Sequence, residues 1–267
     1  MGSYATINID NYAIKRSFSC AVDTYDCSSD LQDYIVDLLF KKISCLDISF
    51  GPILEFGCGT GLLTKRLLEF FPDIYIFSFD LSFNMCKRAK VKIKPKANID
   101  FLVADVQYPS FRPSSFSAIF SSSSFQWVNS PKETLSNLKN LLLKDGVLII
   151  STFGPKTLRE LSHSLSLYFN KKVSIVASKF LDKEELACCL TSCFKEFYIE
   201  EVMIIKRYIS LFELLKILKN TGANIKTPQL SSFVFTKKSI QLIDEIYKKE
   251  FGEIRASYQV FLCEAKR

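Results

Sequence analysis

Few side chains in this sequence are equipped for chemistry, and the most suggestive of them gather around glycine. Only nine glycines occur in 267 residues, about half the usual frequency of ~7%. Yet Gly57, Gly59 and Gly61 alternate within one short segment, Glu55-Phe56-Gly57-Cys58-Gly59-Thr60-Gly61. Glycine adopts positive φ without penalty and lets the backbone approach a ligand where a Cβ would collide. The segment ends an apolar run and precedes an amphipathic one, the setting of a nucleotide-type turn between strand and helix. A dinucleotide turn, G-x-G-x-x-G/A, would need Gly or Ala at position 62, where Leu62 stands; a phosphate loop would need Gly-Lys-Ser/Thr, which is absent. A plain tight turn is the third reading, and the clustering in a glycine-poor chain weighs against it. Two carboxylates, Asp80 and Asp105, stand just beyond the next two apolar runs. Each can accept hydrogen bonds from hydroxyl or amino groups.

Other chemistries lack their residues. His163 is the single histidine, so no Ser/His/Asp set forms and a Cys/His zinc site is disfavoured. The nine cysteines are odd in number and include no CxxC pair, in a chain too long to need disulfide staples. They read as reduced, mostly buried thiols of a cytoplasmic protein. No metal is expected. Lys and Arg total 35 against 28 Asp and Glu, a net charge of +7 that suits an acidic partner. The basic residues are scattered, so nucleic acid is not indicated. No apolar run is long enough for a bilayer, and the first ten residues lack the pattern of a signal peptide. Met1-Gly2 with Thr6 fits the loose myristoylation pattern, which short sequences match by chance.

The elements that must position these groups follow from periodicity and end signals. Ser29-x-x-Gln32 reads as a capping box opening a helix over 29–43, with Leu31, Ile35, Leu38 and Leu39 on one face. Strands are expected at 52–56, 74–79, 99–104, 116–121 and 146–152, with helices between, including one from the Ser130-Pro131 start to Leu143. Short links between alternating strands and helices predict a parallel sheet covered on both faces. Later, Thr157-x-x-Glu160 and Asp182-x-x-Glu185 read as caps of two helices; further helices are expected at 211–219 and 238–249, and strands at 196–208 and 254–265. One domain is expected over 1–267: a helical cover at 1–45, a core at 50–152, and a helical lid with final antiparallel strands at 153–267.

Taken in order, Glu55-x-Gly-x-Gly-x-Gly, Asp80 and Asp105 resemble the cofactor loop of the class I S-adenosylmethionine-dependent methyltransferases. The resemblance implies a Rossmann-like α/β fold: a seven-stranded sheet with helices on both faces, an antiparallel last strand, and a late helical insertion over the active site. It implies that Gly57, Cys58, Gly59 and Gly61 pass beneath S-adenosylmethionine after Glu55. Asp80 would hold the ribose hydroxyls, Leu81 and Met85 would flank the adenine, and Asp105 with Val106 would meet its amino group. Ser121 would lie near the transferred methyl.

Further pieces narrow the resemblance. Phe18, Ala21, Tyr25 and Gln32 precede the core; Phe125-Gln126-Trp127, Thr157-Leu158-x-Glu160-Leu161, Phe180-Leu181, Leu218-Lys219-x-x-Gly222-Ala223-Asn224 and Tyr258 follow it. From about residue 12 onward these resemble the family that methylates malonyl-acyl carrier protein in biotin synthesis. The chain departs from that family in having Cys20 where a basic residue is usual, and Ser117 at the second position of strand four. The resemblance implies an acidic acyl carrier protein as partner, with Lys156, Arg159, Lys171, Lys172, Lys206 and Arg207 as steering candidates. A malonyl carboxylate is ionised at neutral pH, so the reaction needs no general base, in keeping with the lone histidine. Tyr25, Gln126, Trp127 and Tyr258 are the candidates for positioning the acceptor. The alternatives are a methyltransferase of another small carboxylate or a quinone precursor, and a cofactor-binding protein without chemistry.

Overall fold

The computed structural model describes residues 10–48, 50–93, 98–223, 230 and 233–267. The Gly2–Thr6 pattern and Asn224 lie outside them. Strands β1 (Ile53–Phe56), β2 (Ile76–Asp80), β3 (Ile99–Val103), β4 (Phe116–Ser121), β5 (Leu142–Phe153), β6 (Glu196–Tyr208) and β7 (Ile254–Lys266) form one sheet, ordered β3-β2-β1-β4-β5-β7-β6. The first five run parallel. Strand β7 inserts antiparallel between β5 and β6, as the family resemblance implies. The strand order reverses between β1 and β4, and ligands of such sheets bind beyond the carboxyl ends at that point.

Alternate residues of each strand feed two separate hydrophobic clusters, because successive side chains point to opposite faces. Ile53, Ala118, Phe120, Ile149 and Leu262 join one cluster; Leu54, Ile119, Leu148, Ile150 and Phe261 join the other. Helices α2 (Asp30–Ile43), α3 (Leu62–Phe70), α6 (Arg159–Tyr168), α8 (Leu211–Asn220) and α9 (Lys237–Phe251) contribute to the first cluster. Helices α5 (Pro131–Leu141) and α7 (Lys183–Thr191) contribute to the second. Burial on both faces explains why the central strands read as continuous apolar runs rather than alternating ones. Helix α4 (Phe83–Ile93) follows β2. Among the described residues, no helix is long and apolar enough to cross a membrane.

Three of the expected helix ends differ. Ser29 does precede α2, but its hydroxyl donates to the Asp26 carbonyl and the Asp33 carboxylate instead of capping. Thr157 does not cap α6. It exchanges hydrogen bonds with the backbone of Gln259, while Glu160 accepts from the backbone and hydroxyl of Ser257 on β7. Helix α5 stops at Leu141, where the chain turns extended to open β5. The Asp182–Glu185 capping box forms as expected. A helix not marked by any strong pattern, α1 (Asn11–Ala21), is capped by Asp10 and packs against α4.

Candidate functional site

Two adjoining clefts open beyond the carboxyl ends of β1, β2 and β4. Both are open to solvent, with about 1040 Å³ of space in the first and about 1020 Å³ in the second.

The first cleft is built on the glycine loop. Gly57, Gly59 and Gly61 all take positive φ. A Cβ on Gly59 would meet nothing within 4 Å, so this backbone faces open space that a ligand can fill. The loop is tied to Asp80 at the end of β2: Oδ2 accepts the Gly59 N–H at 2.9 Å and Oδ1 accepts the Ser82 N–H at 2.8 Å. Burial raises the Asp80 carboxyl above its ordinary value, against the pull of the Ser82, Gly59 and Leu81 N–H groups. Each oxygen keeps a lone pair for a further donor. Cys58, Leu81, Met85, Asp105 and Val106 line the same cleft. Asp105 Oδ1 accepts the Gln107 N–H at 2.9 Å, which fixes its carboxylate on the rim. A hydroxyl-acceptor carboxylate, apolar flanks and a second carboxylate fit a nucleoside with a diol and an amino group.

Three of the residues expected at the cofactor do other work. Glu55 borders the cleft, but its Oε2 accepts from Thr64 Oγ1 at 2.6 Å and from Ser78 Oγ at 2.5 Å. It therefore joins β1 to α3 and β2. Gly61 does not line the cleft: a Cβ there would strike Ile93 Cδ1 and approach Ala89, so its role is to let α3 and α4 close together. Ser121 is fully buried and donates to the Phe56 carbonyl at 2.8 Å. The cleft wall after β4 is formed by Ser122, Ser123 and Ser124 instead.

Glu55 also sets a pH dependence. Burial, opposed by the Ser78 and Thr64 hydroxyls, pushes its carboxyl up to about 7 from 4.5. The folded state therefore prefers the protonated acid. Its contribution is complete below pH 4.5 and is lost as pH rises through about 7. The loss amounts to about 3 kcal/mol at 1.36 kcal/mol per unit. Urea unfolding of the wild type and of Glu55→Gln at pH 5 and pH 8 checks this. The wild type should weaken relative to the variant at pH 8; a pH-independent difference would contradict it.

The second cleft is aromatic. Tyr25, Gln126, Trp127 and Tyr258, the four expected acceptor-positioning residues, all line it, with Phe18, Phe153, Phe180 and Tyr208. Burial raises the Tyr25 phenol, helped by the charges of Asp80, Asp26 and Asp33, and burial likewise raises Tyr258. Both phenols stay protonated donors. Tyr258 and Tyr208 hydroxyls lie 2.8 Å apart. Trp127 stands edge-on between Phe18 (5.9 Å) and Phe180 (5.4 Å). Gln126 Oε1 accepts from Thr152 Oγ1 at 3.4 Å, and its Nε2 donates to the Ser123 carbonyl at 2.6 Å.

The N-terminal segment closes over both clefts by specific ties. Asp26 accepts from Thr60 Oγ1 in the glycine loop at 2.6 Å and from Lys92 at 2.9 Å. Burial works against ionisation of Asp26, but these partners and Arg88 hold its carboxyl below the ordinary value. Thr24 donates to the Asn220 carbonyl, and Asn220 donates to Ser28. Gly222 has positive φ, and a Cβ there would press on Phe18. The Gly222 motif thus supports the ring that steadies Trp127.

Of the six basic steering candidates, Lys206 lines the second cleft, 3.8 Å from Asp30. Arg159 pairs with Glu160 and Arg207 with Glu253, and Lys171 lies over the Phe169 ring. Neither they nor Lys156 and Lys172 line either cleft. Phe180 stood in the sequence only as part of a motif, with no role at the acceptor, and Tyr208 and Ser123 carried no signal of a site. Ser123 lay in the serine run 121–124, which alone is indistinguishable from a loop.

Residues 54–150 match a family described as a methyltransferase domain. Malonyl-[acyl-carrier protein] O-methyltransferase 2 of Ilyobacter polytropus is 32% identical over 245 residues, covering 91% of this chain and 92% of its own. Malonyl-[acyl-carrier protein] O-methyltransferase of Halalkalibacterium halodurans is 32% identical over 273 residues, covering 96% and 99%. Among solved structures, Haemonchus contortus phosphoethanolamine N-methyltransferase 2 in complex with S-adenosyl-L-methionine has the same fold. It aligns at a TM-score of 0.58 and 17% identity over 93% of this chain and 57% of that one.

Proposed function

Since the chain belongs to the malonyl-[acyl-carrier protein] O-methyltransferase family, we propose that it methylates the free carboxylate of a malonyl thioester borne by an acyl carrier protein, an early step of biotin synthesis. Its cofactor is S-adenosylmethionine. The observation that carries the reading is the pairing of a nucleoside-type cleft with an aromatic cleft that share Phe18, Tyr25, Gln32, Ser123 and Trp127.

When bound, the cofactor supplies an activated methyl: a carboxylate oxygen forms the new C–O bond, the C–S bond breaks, and its electron pair stays on sulfur. No proton moves, so the residues have to align, desolvate and hold. In this reading Gly57, Cys58 and Gly59 cradle the cofactor, and Asp80 accepts from its ribose. Leu81, Met85 and Val106 flank its base, and Asp105 accepts from the base's amino group. Tyr25, Gln126, Trp127 and Tyr258 shape the acceptor side. The segment 1–45 serves as cover, 50–152 as the cofactor-binding core, and 153–267 as lid and closing strands. Lys206 at the second cleft and the net charge of +7 favour an acidic carrier protein. Such a substrate and a cysteine-rich, reduced chain suit the cytoplasm.

The test is methyl transfer to malonyl-carrier protein, compared with malonyl-coenzyme A and free malonate. Transfer to the carrier protein, weakened by salt more than transfer to the small thioester, is expected. Cofactor binding without transfer to any of the three would refute the acceptor.

A further inference from the structure

Six buried side-chain polar atoms lack a hydrogen-bond partner among the described residues. Three of them, Gln32 Oε1, Ser123 Oγ and Trp127 Nε1, belong to residues in the wall shared by the two clefts. The other three, on Thr134, Ser164 and Arg255, line neither cleft. Buried polar atoms are almost always paired, so three unpaired ones in a single cavity wall call for a partner from within the cavity.

Each of the three is held in place by its surroundings. Ser123 sits at φ 55°, a left-handed conformation unusual for serine. Its N–H donates to the Ser151 carbonyl and hydroxyl, each at 3.0 Å, and its carbonyl accepts from Gln126. The backbone is fully bonded, and only the hydroxyl is left over. Strain retained in this way marks a position whose side chain has a use. Trp127 is clamped between Phe18 and Phe180, which fixes where its N–H points. Gln32 lies in the first turn of α2, and its box with Ser29 does not form.

We infer that Trp127, Ser123 and Gln32 form a neutral cradle for the acceptor carboxylate at the junction of the clefts. The inference rests on the carboxylate acceptor proposed above. Trp127 and Ser123 donate directly, and a half-turn of the Gln32 amide about its soft terminal torsion presents its NH₂. Among the described residues no Lys, Arg or His lines the first cleft, and Lys206 is the one cation lining the second. A neutral junction suits this chemistry. A guanidinium fork would stabilise the ground-state carboxylate and blunt its attack, whereas neutral donors orient it while leaving its charge available. Gln32 and Ser123 become positioning residues for the acceptor, and Trp127 acquires a donor role beyond that of an aromatic wall.

The experiment measures binding of malonyl-carrier protein and acetyl-carrier protein to the chain loaded with S-adenosylhomocysteine. The variants are Trp127→Phe, which keeps the ring packing, Ser123→Ala and Gln32→Leu. The wild type should prefer the malonyl form. Each variant should lose roughly tenfold to a hundredfold in malonyl affinity and in kcat/KM, the value of one hydrogen bond to a charged group. Binding of the acetyl form and of S-adenosylhomocysteine should be retained, which also reports that the variants are folded. A malonyl preference that survives in all three variants overturns the cradle alone, and so does equal weakening of both thioesters. A wild type without any malonyl preference overturns the cradle and the malonyl acceptor together.

Discussion

Replacing Asp80 by asparagine should weaken cofactor binding on the order of 100-fold or more, with turnover falling in step. The carboxylate serves two audiences at once. Its two oxygens accept the N–H groups of Gly59 and Ser82 at 2.9 and 2.8 Å, and in the proposed complex they accept the ribose hydroxyls as well. Asparagine offers one oxygen and one NH₂, so one of the two backbone donors is left facing another donor. Hydrogen bonds to a charged acceptor are worth about 1.5–3 kcal/mol each, and losing two of them multiplies to the stated factor. The glycine loop also loosens, because Asp80 is its anchor. Calorimetric titration with S-adenosylhomocysteine reads the effect directly. An affinity within a few-fold of wild type would remove Asp80 from the cofactor site.

The second large effect separates two neighbouring glycines. In Gly57→Ala the new Cβ overlaps Ser124 Oγ and Cβ at a backbone φ of +66°. The loop after β4 must then move away from β1, taking Ser122, Ser123 and Ser124 out of the cleft wall. Left-handed strain and overpacking together cost about 2–5 kcal/mol. The melting temperature and the activity should both fall. In Gly59→Ala the Cβ at φ +54° projects into open space. Only the left-handed penalty of about 1–2 kcal/mol bears on folding, yet cofactor affinity should drop because the methyl fills the cradle. Equal melting temperatures for the two variants would contradict the assigned clearances.

The difference between these glycines marks the limit of what was legible in the chain. A strand, a glycine turn and a carboxylate at the next strand end are local patterns, so Gly57, Gly59 and Asp80 could be placed from sequence. Gly61 has the same local signature. Its close neighbours Ala89 and Ile93 lie on α4, and only the packing of two helices reveals that it serves the fold. Ser121 ends β4 as expected, but the register of β4 on β1 turns its hydroxyl onto the Phe56 carbonyl. Thr157 and Glu160 spell a local cap and are claimed instead by Gln259 and Ser257 on β7, about a hundred residues later. Gln32 was legible as a helix signal and not as a cleft residue, because the chain alone does not show that Ser29 turns away. The long antiparallel strands were easy to read because each is continuous, whereas the short face of α1 (Ile14, Phe18 and Ala21) finds its place only through packing on α4 and on Trp127.

Intact-mass analysis of malonyl-carrier protein after incubation with the chain and S-adenosylmethionine is the most direct measurement. The carrier protein should gain the mass of one methylene, a methyl in place of the acid proton of the malonyl group, with one S-adenosylhomocysteine formed per methyl transferred. Unchanged carrier protein beside a chain that demonstrably binds S-adenosylmethionine would contradict the proposed function, as would methyl appearing on a free polycarboxylate in its place.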